Sequence, residues 1–240
     1  MGEARVRALG GEAGEGILRE LVGRAPALLP CLNALERAVR MLIASFRAGG
    51  KLLVCGNGGS AADAEHIVGE LMKGFRHPRP LPAEIRERLS MAGDPALADR
   101  LQAALPAIAL SGASPLATAV GNDQDPGLCF AQQVLGYGRP GDVFLGISTS
   151  GNAANVVAAA RVARALGLRT IGLTGRDGGA LAGVVEVAVK VPARETHLVQ
   201  ELHLPVYHAL CAAVEEGLFG RGGREEVLRA AMAGDRPGTV

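Results

Sequence analysis

Residues 51–75 read KLLVCGNGGSAADAEHIVGELMKGF, and the change of rhythm within them decides the class of fold. Lys51 to Cys55 is a short apolar run, stopped in front by Gly49 and Gly50, which is the pattern of a strand buried on both faces. Gly56-Asn57-Gly58-Gly59-Ser60 breaks that run with residues that tolerate a tight turn. A helix is then predicted over 60–75. Strand, small-residue turn and helix in this order form the opening half of a βαβ unit.

The unit recurs along the chain. Strands are predicted at 107–110, 142–147, 170–173 and 185–191. The third strand of the series, 142–147, runs into Ser148-Thr149-Ser150-Gly151-Asn152 and a helix over 153–166. A short helix is expected at 115–121, another after the TGRDGG turn, and a long one over 196–219. Upstream, Leu28, Leu29, Leu32, Leu35, Val39, Leu42, Ile43 and Phe46 recur at intervals of three and four, so 17–47 is helical. Pro26 and Pro30 divide it into a short and a longer piece. Residues 81–105 break the rhythm. They are charged and helix-prone, with GDP as a turn between two short helices, and read as an excursion from the core. Residues 1–15 are expected to fray, and the tail 220–240 to hold at most a short helix over 224–232. One domain over 1–240 is expected, with its core at about 30–219.

Composition narrows the class of function. With 48% hydrophobic residues, no tryptophan and 34 glycines, the core must be built from Ala, Val, Leu and Ile around tight turns. A net charge of +1 supplies no field to draw in nucleic acid or an anionic membrane, so any anion must be captured locally. Cys31, Cys55, Cys129 and Cys211 lie far apart without metal spacing, which speaks against disulfides and places the protein in the cytoplasm.

Two places offer chemistry. The GNGGS and STSGN turns each lie between a strand and a helix, where free N–H groups point at an anion; three hydroxyls in the second turn hold phosphate without Lys or Arg. One such turn alone more often merely caps a helix. Two in one sheet favour phosphate binding, although neither GK[ST] nor GxGxxG is present. The second place is titratable. His66 and Glu70 are four apart on one helix face, and Gln200 and His208 are eight apart on the last helix. Such a set serves equally as a four-ligand metal site or as a general acid and base acting on a polyol.

Taken together, CGNGGSAADAEH (55–66) with Glu70, GND (121–123), GDVFLGISTSGNAANV (141–156), LTGRDGG (173–179) and QELHLPVYH (200–208) resemble the SIS (sugar isomerase) family, and within it the phosphoheptose isomerases. The resemblance covers roughly 30–219. It implies an SIS-type α/β fold: a parallel β-sheet sandwiched by helices in a flavodoxin-like three-layer α/β/α arrangement, with a helical N-terminal segment and a helical insertion at 81–105. It implies phosphate binding by Ser60, Ser148, Thr149 and Ser150 beside Gly58 and Gly59, and contacts to sugar hydroxyls from Asn57, Asn122 and Asp123. Glu70 and Gln200 also touch the substrate by this resemblance. One Zn²⁺ per subunit would be held by His66, Glu70, Gln200 and His208. Glu70 would be the catalytic base and His208 its acid partner. The implied reaction converts sedoheptulose 7-phosphate to D-glycero-D-manno-heptose 7-phosphate through an enediol. A homotetramer with no nucleic-acid or membrane partner is also implied.

The chain departs from the family pattern at Ala153, where a serine is usual, and in its longer 81–105 segment. Two other readings stay open: an isomerase of another sugar phosphate, and a non-catalytic SIS protein binding sugar phosphate or a partner such as a replication initiator. Retention of Glu70 and His208 argues against the latter. His77 reads as a residue of a solvated loop, His203 as facing a subunit interface, and Asp177 as a turn residue.

Overall fold

The computed structural model describes residues 14–112 and 114–220; the expected fraying N-terminal stretch, up to residue 13, and the expected helix at 224–232 lie outside them. Five parallel strands form one sheet in the order β2-β1-β3-β4-β5. They are β1 (Leu52–Cys55), β2 (Ala107–Ala109), β3 (Val143–Ser148), β4 (Arg169–Thr174) and β5 (Val187–Lys190). All five lie within two residues of the runs predicted from the sequence. Buried Asp142 sets the register where β1 and β3 begin. Its carboxylate accepts from the Lys51 and Arg139 backbone N–H groups and pairs with the Lys51 ammonium at 2.6 Å.

Strand alternation builds the two cores. Leu52 and Val54 of β1, with Val143, Leu145 and Ile147 of β3, face one layer of helices. That layer holds α1 (Glu15–Arg24), α2 (Leu32–Arg47), α3 (Gly59–Leu71) and, later in the chain, a 24-residue C-terminal helix (Thr196–Phe219). A 3₁₀ turn over Pro26–Cys31 separates α1 from α2, where the prolines predicted a break. Leu53, Cys55 and Phe144 point to the opposite face. The 81–105 excursion holds α4 (Ala83–Met91) and α5 (Pro95–Arg100), joined at Gly93 and capped by the Asp94 side chain. Only Ala98 of these two helices is buried, so the segment stands off the core as expected.

After β2 come α6 (Ser114–Asp123) and α7 (Cys129–Tyr137); α8 (Ala154–Ala165), the short α9 (Gly179–Ala182) and α10 (Thr196–Phe219) complete the series. No element was read from the sequence at α7. It has no side-chain cap of its own; the start signal lies earlier, at Asp125 and Pro126, which begin the 3₁₀ turn that runs into it. Burial of Phe130 and Val134, and a Gln133 amide bonded to the Leu110 carbonyl, hold it.

Helix α3 stops at Leu71, four residues short of the predicted end. Its last carbonyls are taken by a distant side chain: Arg79 donates to Leu71 O at 2.6 Å and to Glu70 O at 3.4 Å. Arg79 also pairs with Glu215 of α10 at 2.7 Å, and both side chains are fully buried. Glu215 in turn accepts from the backbone N–H groups of Phe75, Arg76 and His77. The loop carrying His77 is therefore fastened although Arg76 and Pro78 stay exposed, and His77 itself, half-buried, pairs with Glu216 at 2.6 Å.

His203 does not face outward either. It is fully buried within its own chain, against the Thr174 backbone, with neither ring nitrogen in a well-formed hydrogen bond. Burial pushes its pKa down from 6.5 to about 4. The unfolded chain therefore binds the extra proton first, and stability held above pH 6.5 is lost as the pH falls toward 4. In urea unfolding at pH 7.5 and pH 4, His203→Leu should gain on the wild type by about 3 kcal/mol between the two pH values. An unchanged gap would show that His203 does not titrate with folding.

Candidate active site

In a sheet of order 2-1-3-4-5, the crevice opens beyond the carboxyl ends of β1 and β3, where the chain reverses its direction of winding. Both small-residue turns lie there, because Cys55 of β1 and Gly146 of β3 are register partners. Gly58 takes a positive φ of 55° and lets the chain turn into α3. In the second turn, the Ser148 and Ser150 hydroxyls accept from the backbone N–H groups of Ala153 and Asn152. Gly151 lies so close to Gly178 and Gly179 that a Cβ there would overlap backbone. The RDGG segment is thus a support for STSGN, bonded to it through Ala180 N–H and the Asn152 side chain; its Asp177 pairs with Arg194 at 3.1 Å.

The two turns enclose a cavity of about 370 Å³. Asn57, Gly58, Gly59, Ser60, Ser148, Thr149, Ser150 and Gln200 of the predicted set all line it, with Thr196 and Ala153. No Lys or Arg contributes to this lining. An anion here is met by hydroxyls, amides and the N-termini of α3 and α8. The serine missing at 153 would have faced the same space. Asn57 exchanges two amide hydrogen bonds of 2.9 Å with Asn155, a residue not singled out from the sequence; the pair bridges the two turns.

Farther along α3, His66, Glu70 and His208 come together with donor atoms all within 4.8 Å of one another. His66 Nε2 lies 3.2 Å from Glu70 Oε1 and 3.3 Å from His208 Nε2. Glu70 Oε2 faces the Lys73 ammonium at 3.3 Å. Desolvation, then the neighbouring His66, lowers the His208 pKa, while Glu70 works in the opposite direction. Two imidazoles and a carboxylate suit a borderline divalent cation such as zinc. Phe75 packs on the His208 ring with centroids 5.8 Å apart. Tyr207, missed because it falls inside an apolar run, places its hydroxyl 3.0 Å from His66 Nδ1.

The helices α3 and α10 run side by side in the same direction. Gln200 meets Gly59, His208 meets His66, and Glu215 reaches the end of α3 through Arg79. Gln200 therefore sits beside the cavity, two turns before His208. Asn122 and Asp123 end α6, are exposed, pair with each other at 2.8 Å and do not line the cavity.

The SIS domain family matches residues 31–94 and 91–175. The chain is 44% identical over 179 residues to a phosphoheptose isomerase of Trichlorobacter lovleyi, covering 75% of this chain and 80% of that protein. It is 42% identical over 188 residues to one of Rhodospirillum rubrum, covering 78% and 88%. Among solved structures it is similar to the phosphoheptose isomerase of Neisseria gonorrhoeae, with a TM-score of 0.65 and 33% identity over 82% of this chain and 94% of that one.

Gly59 offers a test of the cavity. It begins a helix, where alanine is at least as stable, but a Cβ would collide with the flexible Gln200 amide. Gly59→Ala should keep or raise the melting temperature and weaken inorganic phosphate binding, measured by calorimetry, about tenfold. Undiminished binding would remove Gln200 and this turn from the anion site.

Proposed function

The chain belongs to the SIS domain family, among its phosphoheptose isomerases, and on that footing we propose how its residues interconvert sedoheptulose 7-phosphate and D-glycero-D-manno-heptose 7-phosphate. One observation carries the assignment of residues. A single helix, α3, bears the anion turn at its start and Glu70 ten residues on, about 15 Å along the axis. A long open-chain sugar laid along α3 has its phosphate at Ser60, Ser148, Thr149 and Ser150. Its C1 and C2 then reach His66, Glu70 and His208. A triose phosphate would not span this distance.

Glu70 takes a proton from C1 of the ketose and returns it to C2, while His208 gives a proton to the carbonyl oxygen. The enediol then returns its O1 proton to His208 as the aldehyde forms. Neutral donors hold the phosphate without adding a cation that would bind the leaving product tightly. His66, Glu70 and His208 would hold Zn²⁺, which would supply an electrophile that polarises the sugar carbonyl; Gln200, expected as a fourth ligand, stands at the anion end against Gly59. Glu70 faces His66 through Oε1 and the Lys73 ammonium through Oε2, and a bound metal would lower its basicity.

The same reading takes the chain as one SIS domain over 1–240 working as a cytoplasmic homotetramer. Free Cys31, Cys55, Cys129 and Cys211 suit a reducing compartment. Exposed Leu135 and Tyr137 on α7, and Leu198 and Leu204 on α10, offer apolar surface for other copies. No helix of the described residues is long and apolar enough to cross a membrane. A net charge of +1 gives no reason to add a nucleic-acid partner.

Glu70→Gln tests the chemistry. With zinc-supplemented protein and sedoheptulose 7-phosphate, turnover should fall at least about a thousandfold while sugar-phosphate binding stays within a few-fold. Full activity in this variant would exclude Glu70 as the base.

A further inference from the structure

Tyr207 precedes His208 on α10 but is turned into the protein, with 1% of its surface exposed. Its hydroxyl lies 3.0 Å from His66 Nδ1, behind the edge of the ring that faces Glu70 and His208 through Nε2. Asp63, one turn before His66 on α3, also interacts with this hydroxyl. Its Oδ2 is buried without a well-formed hydrogen bond. We infer that Tyr207 and Asp63 are positioning residues that keep the His66 ring proton on Nδ1 and so present the Nε2 lone pair to the Glu70–His208 cluster. The inference rests on reading that cluster as a metal site.

The argument is one of donors and acceptors. A carboxylate only accepts, and Tyr207 has a single proton to give. Given to Asp63, it satisfies a buried acceptor that otherwise has no partner. The phenol oxygen is then left with lone pairs only, and His66 can meet it only as Nδ1–H. In the reverse arrangement, Tyr207 donates to Nδ1 and the ring proton moves to Nε2, pointing into the cluster. That arrangement gives Glu70 Oε1, 3.2 Å from Nε2, a proton to accept, but Glu70 already has Lys73 as a donor; it blocks the ligating atom and leaves the buried Asp63 Oδ2 unsatisfied. A partner on the far nitrogen of a ligating histidine is worth 10- to 100-fold in metal affinity in general. Here a tyrosine stands between the imidazole and the carboxylate, and it comes from the same helix as the ligand His208. The order of Tyr207 and His208 in sequence thus couples two ligands on two helices.

Two measurements on the full-length protein decide it. The first is Zn²⁺ affinity by competition with a chromophoric chelator, for the wild type, Tyr207→Phe and Asp63→Asn. Tyr207→Phe removes one oxygen and keeps the ring packed; its affinity should fall about 10- to 100-fold. The second is the long-range ¹H–¹⁵N spectrum of histidine-labelled, chelator-treated protein at a pH where the ring is neutral, with the His66 signals assigned by their loss in His66→Gln. The wild type should show the Nδ1–H form, and both variants a shift toward Nε2–H. An Nε2–H ring in the wild type, or zinc bound as tightly by Tyr207→Phe as by the wild type, would overturn the inference. A wild type that takes up no zinc overturns the metal reading instead, and the spectrum still judges Tyr207 by itself.

Discussion

The buried pair of Arg79 and Glu215 holds the working parts of this protein in one frame. Removing two charges from water is costly, and such a pair persists only when every remaining donor and acceptor is met. Here the surroundings meet nearly all of them. Arg79 spends its donors on Glu215 and on the carbonyls of Glu70 and Leu71, and its guanidinium lies 4.9 Å over the Phe219 ring. Burial by itself would raise the Glu215 pKa. The N–H groups of Phe75 and Arg76, with the Arg79 guanidinium, hold it below the usual carboxylate range instead. One ion pair thus fixes the end of the helix carrying Glu70, the loop carrying Phe75, and the helix carrying His208.

From that frame the division of labour along α3 follows. Its N-terminal end has no side-chain cap and presents its positive dipole end, with the Ser60 and Ala61 N–H groups turned to the Asn57 and Gly58 carbonyls, and the STSGN turn brings hydroxyls from the next strand. Its C-terminal half carries the titratable residues. α10 runs alongside and supplies Gln200 at the anion end and His208 at the reacting end, with Tyr207 behind. In the proposed binding mode the substrate would lie along two parallel helices, with its charge met by dipoles and neutral groups. This agrees with a chain whose net charge is only +1.

The small-residue turns are more constrained than their composition implies. A side chain at Gly59 would displace the Gln200 amide, and Gly151 has room for none because the backbone of the RDGG turn presses on it. The Asn57–Asn155 amide pair then locks one turn to the other. Asn57 is in this way a brace between the two halves of the cradle as well as part of its wall.

The strands, the positions of the two small-residue turns and the long last helix were legible in the sequence, nearly to the residue. Apolar period, and the need for glycine where φ is positive or backbone passes close, are local properties of a chain. His66 and Glu70 could be placed on one face for the same reason, since a helix puts residues four apart together. Contacts between distant residues were not legible. The end of α3 depends on Arg79, eight residues past Leu71, which is itself held by Glu215, 136 residues further on. The α7 helix has no caps of its own and exists because Phe130 and Val134 find a core. His203 and His77 each took a place decided by what packs against them. Local sterics and period choose the elements, while the partners of buried polar groups are chosen only when the elements meet.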